Sequence, residues 1–205
     1  MAKVTLVLGG ARSGKSHFAQ ALANALNGRV VYIATAQALD SEMQQRVAKH
    51  RSERPPHWQT LELPLAVAQG YCQSGLKPAV VLLDCLTLLV SNVILAECPG
   101  EEVEAEKAMA AVDHELDALL ELIEQDSAQW IIVSNEVGMG LVPPYPLGRV
   151  YRDALGIANQ RLAAIADQVF FMVAGIPLPL HPHRIQFPGP LEGNPGAAID
   201  WSRDN

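Results

Sequence analysis

Cysteine and basic residues are scarce in this chain of 205 residues, and each shortage excludes a class of function. The three cysteines, Cys72, Cys85 and Cys98, form no CxxC pair, so neither a disulfide framework nor a zinc site is implied. Lysine and arginine number 15, against 22 aspartates and glutamates. Binding along nucleic acid needs a basic excess to neutralise phosphates, so we expect no nucleic-acid partner.

Long uninterrupted hydrophobic runs are also lacking. Residues 1–9 are apolar but too short for a secretion signal, and a glycine-rich turn follows them instead of a cleavage site. The longest apolar stretch, residues 79–96, is interrupted by Asp84, Ser91 and Asn92, which is atypical of a membrane span. We therefore expect a soluble, cytoplasmic protein without membrane insertion.

The sequence does contain short apolar runs that alternate with longer stretches of helical spacing. Hydrophobic residues make up 49% of the chain, which is enough to build a core. The runs that predict strands are residues 4–8, 29–33, 79–83, 130–133 and 169–173. The stretches that predict helices are residues 15–26, 41–51, 101–125 and 149–167, and a further helix follows the strand within residues 79–96. Because the runs are apolar on both faces, we predict an α/β doubly wound fold with a mostly parallel sheet.

The C-terminal part differs, because proline recurs from residue 177 onward. Such a segment forms neither a helix nor a central strand. We predict a short edge hairpin near residues 176–187, followed by a loose tail. In domain terms, residues 1–180 form a single nucleotide-binding and catalytic domain, and residues 181–205 form an extension rich in proline and glycine.

A glycine-rich motif at residues 9–16 predicts a phosphate-binding loop. It matches GxxxxGK[ST] and lies between a predicted strand and a predicted helix, as the motif requires. The glycines allow backbone N–H groups to point at phosphate oxygens, and the helix adds the positive end of its dipole. Lys15 can bridge the β- and γ-phosphates, and the hydroxyl of Ser16 can bind Mg²⁺. The candidate nucleotide contacts of this loop are Gly9, Gly10, Ala11, Arg12, Ser13, Gly14, Lys15 and Ser16.

Asp84 is the second candidate metal ligand. It ends an apolar strand, where a carboxylate can hold Mg²⁺ directly or through water; a helix-capping role is the structural alternative. Together with the loop it indicates a P-loop protein that binds a nucleoside triphosphate with Mg²⁺. Kinases, motors and switches share these features, so they do not define the reaction.

A histidine among cations forms a third candidate feature. Arg46, Lys49, Arg51 and Arg54 surround His50 in the sequence. Nearby cations favour the neutral imidazole, which is a nucleophile and can form a phosphoramidate with a nucleotide. The arginines can bind the triphosphate and stabilise the departing pyrophosphate, so the loop and this basic segment can form two walls of one site. The alternative is a histidine at a helix end within a solvated basic face.

Several motifs in this order resemble the bifunctional adenosylcobinamide kinase / adenosylcobinamide-phosphate guanylyltransferase family of cobalamin biosynthesis. The resemblance covers nearly the whole chain up to about residue 180. The motifs are GGARSGKS (9–16), YIAT (32–35), HRSERPPHWQTLELP (50–64), LLDCLT (82–87), NEVGMGLVP (135–143), YRDALGIANQRLAAIAD (151–167) and VAGIPLPL (173–180).

The resemblance implies a two-step enzyme with a RecA-like P-loop fold that assembles as a homotrimer. A triphosphate, ATP or GTP, phosphorylates adenosylcobinamide. GTP then guanylylates a histidine, which corresponds to His50, and adenosylcobinamide phosphate takes the GMP to give adenosyl-GDP-cobinamide. Besides the loop, the family's nucleotide contacts correspond to Ala34, Thr35, Ala36, Arg51, Ser52, Glu53, Arg54, Glu62 and Asp84.

Two segments remain open on the sequence alone. Residues 135–140 follow a strand on the edge where ligands bind in such sheets, and either a substrate contact or a structural turn fits them. Tyr151, Arg152 and Asp153 are placed at the start of the last helix, where a ligand contact and a subunit contact are equally compatible with the pattern. The extension beyond about residue 181 exceeds the usual length of the family.

Two other functions compete with the bifunctional enzyme. One is a plain P-loop kinase of a small metabolite, in which His50 is merely structural. The other is non-enzymatic: a GTP-dependent switch, or a RecA-like strand-binding ATPase. Formation of a covalent GMP adduct separates the bifunctional enzyme from both.

Overall fold

The computed structural model describes residues 3–37, 51–52, 54–100 and 104–180, and its strands form one mostly parallel sheet. The strands are β1 Val4–Gly9, β2 Val30–Ala34, β3 Gln59–Glu62, β4 Val80–Asp84, β5 Gln129–Val133, β6 Gln168–Val173 and β7 Ile176–Leu180. Their order across the sheet is β3-β2-β4-β5-β1-β6-β7. Every neighbouring pair is parallel except β6 and β7, which form an antiparallel hairpin at one edge.

Helices cover both faces of this sheet, which is why its strands are apolar on both sides. They are α1 Lys15–Ala25, α2 Val67–Ser74, α3 Leu86–Glu97, α4 Ala105–Gln125 and α5 Pro146–Ile165. Alanines of α1 pack on one face of the sheet, against strand residues that include Val7 and Ile131. The other four helices pack on the opposite face, where Leu6 and Trp130 lie. None of the helices in the described ranges has the length and apolar character needed to cross a membrane.

The predicted α/β doubly wound fold is confirmed, and the five predicted strands are correct to within one residue at each end. The predicted edge hairpin near 176–187 needs correction. Its turn lies at Ala174 and Gly175, both with positive φ, so residues 176–180 are its second strand rather than the whole hairpin. The remaining residues of that prediction, and the extension 181–205, lie outside the described residues.

The sequence-based prediction missed two elements, and it placed the bounds of two long helices differently from the structure. β3 and α2 were not predicted, because β3 is short and half polar and α2 has only eight residues. The helix predicted from residue 101 begins at Ala105 in the described part. The helix predicted at 149–167 runs from Pro146 to Ile165, since proline suits the first turn. Tyr151, Arg152 and Asp153 therefore lie beyond the helix start, and the predicted helix 41–51 lies outside the described residues except for Arg51.

Candidate nucleotide site

The loop between β1 and α1 turns sharply at two glycines. Gly9 has φ 152° and Gly14 has φ 93°, a region that side chains disfavour. A Cβ on Gly9 would lie 2.6 Å from the carbonyl oxygen of Met172, so the loop also packs closely against β6. Gly14 is the residue before the first turn of α1, where backbone N–H groups are unpaired and attract anions.

Lys15 opens α1 and folds back over this loop. Its Nζ donates to the carbonyl oxygen of Gly10 at 2.6 Å, and the side chain is buried. Burial lowers the pKa of Lys15, while the nearby Cys85 and Asp84 act in the opposite direction. A phosphate group that replaced the Gly10 carbonyl as acceptor would therefore gain a poorly hydrated cation, which favours tight binding.

Asp84 lies at the carboxyl end of β4, beside the loop. The hydroxyl of Tyr32, on the neighbouring strand β2, donates to its Oδ2 at 2.8 Å. Tyr32 is only 2% exposed. Burial, and then the charge of Asp84, raise the pKa of Tyr32, so the phenol stays protonated and remains a donor.

Thr35 joins the ends of β2 and β4 behind the cleft. Its hydroxyl donates to the carbonyl oxygen of Cys85 at 2.7 Å and accepts from the Cys85 backbone N–H at 2.9 Å. The side-chain amide of Asn92 donates to the Thr35 carbonyl oxygen at 2.8 Å. Thr35 is fully buried, so its hydroxyl acts on the backbone next to Asp84. Burial raises the pKa of the Cys85 thiol to about 12, which keeps it protonated.

Arg54 lies across the cleft, with its guanidinium stacked on Tyr32. The guanidinium carbon is 3.6 Å from the centre of the ring. Nη1 donates to the hydroxyl of Thr60 at 3.4 Å, and Nε has no hydrogen-bond partner among the described residues. The stacking therefore provides a large part of the contact that orients this cation.

A cleft of about 1190 Å³ brings these groups together. Of the residues proposed as nucleotide contacts, the following line it: Ala11, Arg12, Ser13, Gly14, Lys15, Ser16, Ala34, Ala36, Arg54 and Asp84. The phosphate loop and Arg54, the last arginine of the basic segment, thus share one cleft. Along α1 the same cleft is also lined by His17, Gln20, Ala21 and Asn24. The cleft therefore extends for about nine residues of helix, or roughly 13 Å at the usual rise.

The other described candidates lie outside that lining. Gly9 and Gly10 form the base of the loop. Arg51 and Glu62 form an exposed ion pair with an N–O distance of 3.6 Å, and Ser52 is exposed beside Arg51. His50 and Glu53, which the sequence also nominates, lie outside the described residues.

The donor set in the cleft fits Mg²⁺. Ser16 supplies a hydroxyl and Asp84 a carboxylate, which are the hard oxygen ligands this ion prefers. Mg²⁺ keeps several waters and takes few protein ligands when phosphates are present. The described residues accordingly need no larger cluster, and they contain no group of three or more His, Cys, Asp or Glu side chains able to hold a metal.

The segment between β5 and α5 adjoins the cleft and is anchored at its start. The Glu136 N–H donates to the carbonyl oxygen of Gly9 at 3.1 Å, and Asn135 lines the cleft. Asn159, buried in α5, accepts from the Ser134 hydroxyl and donates to the Asn135 carbonyl oxygen at 3.0 Å. Asn159 therefore positions this segment from within the protein.

The same segment then carries four exposed apolar side chains, Met139, Leu141, Val142 and Tyr145. Leu141 is 97% exposed and Met139 81% exposed. Arg152 donates to the Gly138 carbonyl oxygen at 3.1 Å, and Arg149 donates to those of Pro143 and Pro144. We call residues 138–145 the apolar loop.

Sequence reasoning missed Tyr32, Thr87 and Cys85 as residues of the cleft. Tyr32 lies in an apolar run that predicts only a buried strand. The available signal was its hydroxyl, since a buried tyrosine requires a hydrogen-bond partner. Thr87 lines the cleft and its hydroxyl accepts from the Asn135 N–H at 2.7 Å, a contact between segments that are distant in sequence.

Comparison with known proteins assigns the chain to a family. Residues 5–180 match the family model described as cobinamide kinase / cobinamide phosphate guanyltransferase. The bifunctional adenosylcobalamin biosynthesis protein CobP of Pseudomonas aeruginosa is 45% identical over 175 residues, which span 85% of this chain and 95% of that protein. The bifunctional adenosylcobalamin biosynthesis proteins CobU of Salmonella typhimurium and Escherichia coli are 41% and 40% identical, over 83% of this chain and 96% of each relative.

A solved structure supports the fold alone. A prototypical ATPase from the type III secretion system of pathogenic bacteria matches with a TM-score of 0.52 and 12% identity. The match covers 83% of this chain and 52% of that one. The described residues therefore share the fold of the matched part of that protein.

Proposed function

Because the chain belongs to the cobinamide kinase / cobinamide phosphate guanyltransferase family, we propose that it phosphorylates adenosylcobinamide and then transfers GMP from GTP to the product. The observation that carries the proposal is the shared cleft, in which the phosphate loop faces Arg54 and Asp84. A triphosphate bound there contacts a helix N-terminus, a buried lysine and a stacked arginine.

In the kinase step, the loop and Lys15 hold the β- and γ-phosphates. The hydroxyl oxygen of the aminopropanol arm attacks the γ-phosphorus, the bond to the β-phosphate oxygen breaks, and the nucleoside diphosphate leaves. The hydroxyl proton passes to a phosphate oxygen or to water. Such transfers depend mainly on positioning and charge neutralisation, so the site does not require a strong base.

We propose that Ser16 and Asp84 hold Mg²⁺ with the triphosphate. When bound, the ion neutralises charge on the phosphate oxygens. Lys15, whose Nζ reaches the Gly10 carbonyl oxygen at 2.6 Å, takes a phosphate oxygen in its place. Thr35 and Tyr32 hold Asp84 at the end of its strand through the contacts described above.

In the guanylyl step, we propose that a nitrogen of His50 attacks the α-phosphorus of GTP. The bond to the β-phosphate oxygen breaks and pyrophosphate leaves, while Arg54 stabilises its charge and Arg51 extends the same basic surface. A phosphate oxygen of adenosylcobinamide phosphate then attacks the same phosphorus. The P–N bond breaks, adenosyl-GDP-cobinamide forms, and His50 is regenerated.

The apolar loop is our proposed platform for the corrinoid. The reacting arm enters the cleft, but the macrocycle is too large to follow it and must rest at the rim. Residues 138–145 follow shortly after Glu136, whose N–H donates to Gly9 of the phosphate loop. They carry no charged side chain and expose four apolar ones. Such a surface suits a ring with apolar faces and an uncharged amide periphery.

We further propose that the enzyme is a cytoplasmic homotrimer. All three cysteines are unpaired, as a reducing compartment favours, and the nucleotide substrates are cytoplasmic. The support for assembly is β7, an edge strand whose Ile176, Leu178 and Leu180 side chains are exposed. An apolar strand at an open sheet edge favours contact with another copy.

Intact-protein mass spectrometry tests the covalent step. The full chain is incubated with GTP and Mg²⁺ at neutral to alkaline pH, without corrinoid. We expect a mass gain of one GMP that is lost in acid, because phosphoramidates are acid-labile, and that is absent in His50→Ala. Lys15→Ala should reduce both adduct formation and phosphorylation of adenosylcobinamide.

His50→Ala itself should retain most of the kinase step, which serves as the control for folding. An unmodified wild-type chain that nevertheless binds GTP and phosphorylates adenosylcobinamide would leave a plain kinase. Normal production of adenosyl-GDP-cobinamide by His50→Ala would contradict the histidine intermediate.

A further inference from the structure

We propose that Tyr32 is a positioning residue that orients Asp84 and Arg54 together in the nucleotide cleft. Tyr32 would thereby connect Asp84, which lies beside the phosphate loop, with Arg54, which we propose acts in the guanylyl step. This inference rests on the proposed function, in which both groups act on one bound GTP. Neither charged group is held only by its own segment, since Tyr32 contacts both.

The hydroxyl of Tyr32 controls the carboxylate. Its 2.8 Å bond to Oδ2 restrains the rotation of the Asp84 side chain at the end of β4. An ionised carboxylate has about four acceptor positions, so the bond leaves capacity for a metal or a metal-bound water. Without the hydroxyl, Asp84 keeps its charge but loses its fixed direction.

The ring of Tyr32 controls the cation. Arg54 stacks on the ring at 3.6 Å, and among the described residues its guanidinium makes one further contact, a long hydrogen bond of 3.4 Å to Thr60. A guanidinium has five N–H donors, so most of them stay available to phosphate oxygens. The flat contact also keeps water from one face of the cation, which strengthens its interaction with an anion.

These two roles use different atoms of one side chain, so substitutions can separate them. Tyr32→Phe removes the hydroxyl and keeps the ring, whereas Tyr32→Leu removes both. The side chain is 2% exposed and packs among residues on the α1 face of the sheet, so Phe preserves the packing. Tyr71→Phe is the matched control: Tyr71 is buried, donates to Asp126 Oδ2 at 2.8 Å and lies on the opposite face of the sheet.

Calorimetric titration, with and without Mg²⁺, uses GTP in which a methylene group replaces the oxygen between the α- and β-phosphorus. This form of GTP cannot release pyrophosphate, so the readout does not depend on turnover. For Tyr32→Phe we expect the gain in GTP affinity from Mg²⁺ to fall about fivefold, with metal-free binding unchanged. For Tyr32→Leu and for Arg54→Ala we expect metal-free GTP to bind about tenfold more weakly. Because Leu removes the platform of Arg54, the double variant should bind no more weakly than the Arg54→Ala single variant.

Tyr71→Phe should match the wild type in both titrations. The proposal is overturned if Tyr32→Phe keeps the full effect of Mg²⁺, or if the losses of Tyr32→Leu and Arg54→Ala add. The same titrations keep this result separate from the proposed reaction. If the variants show these binding effects but the wild-type chain forms no GMP adduct, the guanylyl step is contradicted and the role of Tyr32 stands.

Discussion

At the scale of single residues, this protein repeatedly uses a buried hydroxyl to fix a charged or polar partner. Tyr32 holds Asp84 in the cleft, and Tyr71 holds Asp126 on the other face of the sheet. Trp130 Nε1 also donates to Asp126, at 3.1 Å, so that this carboxylate joins a tyrosine and a tryptophan of the core. Each tyrosine hydroxyl donates to a carboxylate oxygen at 2.8 Å, but of the two residues only Tyr32 lines the cleft. The role that we propose for Tyr32 therefore follows from its location.

The Tyr71 contact predicts how stability depends on alkaline pH. Burial, and then the hydrogen bond to Asp126, raise the pKa of Tyr71 above that of an unfolded tyrosine. The unfolded chain therefore loses this proton first, and stability falls as pH rises beyond about 10. Tyr71→Phe should cost about 1 kcal/mol at neutral pH. Above pH 10 the free energy of unfolding of Tyr71→Phe should fall less steeply than that of the wild type. The two slopes should differ by about 1.4 kcal/mol per pH unit.

Urea unfolding followed by circular dichroism at several pH values between neutral and 11 measures this difference. Tyr145→Phe is a suitable control, because Tyr145 is exposed on the apolar loop. Equal slopes for the wild type and Tyr71→Phe would mean that Tyr71 ionises in the folded protein as readily as in the unfolded chain.

At the scale of elements, predictability follows how strongly each segment is patterned. The apolar runs of β1 and β4 could be read directly, because strands buried on both faces are continuous in hydrophobicity. β3 could not, since Gln59–Glu62 lies at a sheet edge and has only two half-buried residues, Thr60 and Leu61, between two exposed polar ones. The same limit applies to the cleft. The loop motif nominated Lys15, the end of an apolar strand nominated Asp84, and the basic cluster nominated Arg54. The contact of Arg54 with Tyr32 joins segments that only the fold brings together.

The apolar loop gives a prediction at this scale. Replacing Met139 and Leu141 together by serine should raise the KM for adenosylcobinamide about tenfold, because the variant loses apolar area that the macrocycle would bury. Both side chains are exposed, so the fold should be unaffected. The rate of GMP adduct formation, measured without corrinoid, should remain at the wild-type value, since none of residues 138–145 lines the nucleotide cleft.

Steady-state assays with varied adenosylcobinamide, at saturating triphosphate, measure the effect. Ile165→Ser, which changes an exposed apolar residue at the end of α5, is the control and should leave this KM unchanged. An unchanged KM in the double variant would remove the loop from the corrinoid site. A loss of adduct formation would instead place the loop in the nucleotide site.

At the scale of the whole molecule, the sheet has two unlike edges. β3 ends one edge with polar residues, whereas β7 ends the other with exposed apolar ones. Pro177 and Pro179 lack a backbone N–H, so β7 has fewer donors with which to continue the sheet. Contact with another copy through this edge would therefore depend on side chains rather than on a continuous backbone ladder.

This arrangement predicts that Leu178→Lys weakens the proposed trimer, because a charge would be buried against an apolar partner. Size-exclusion chromatography with light scattering should then give a mass nearer one chain than three. Leu95→Lys is the matched control, since Leu95 has similar exposure on α3 and should leave the mass at three chains. A variant that ends at Leu180 should remain trimeric, because the family match also ends at residue 180. A trimeric Leu178→Lys together with a monomeric truncated variant would assign assembly to residues 181–205 instead of β7.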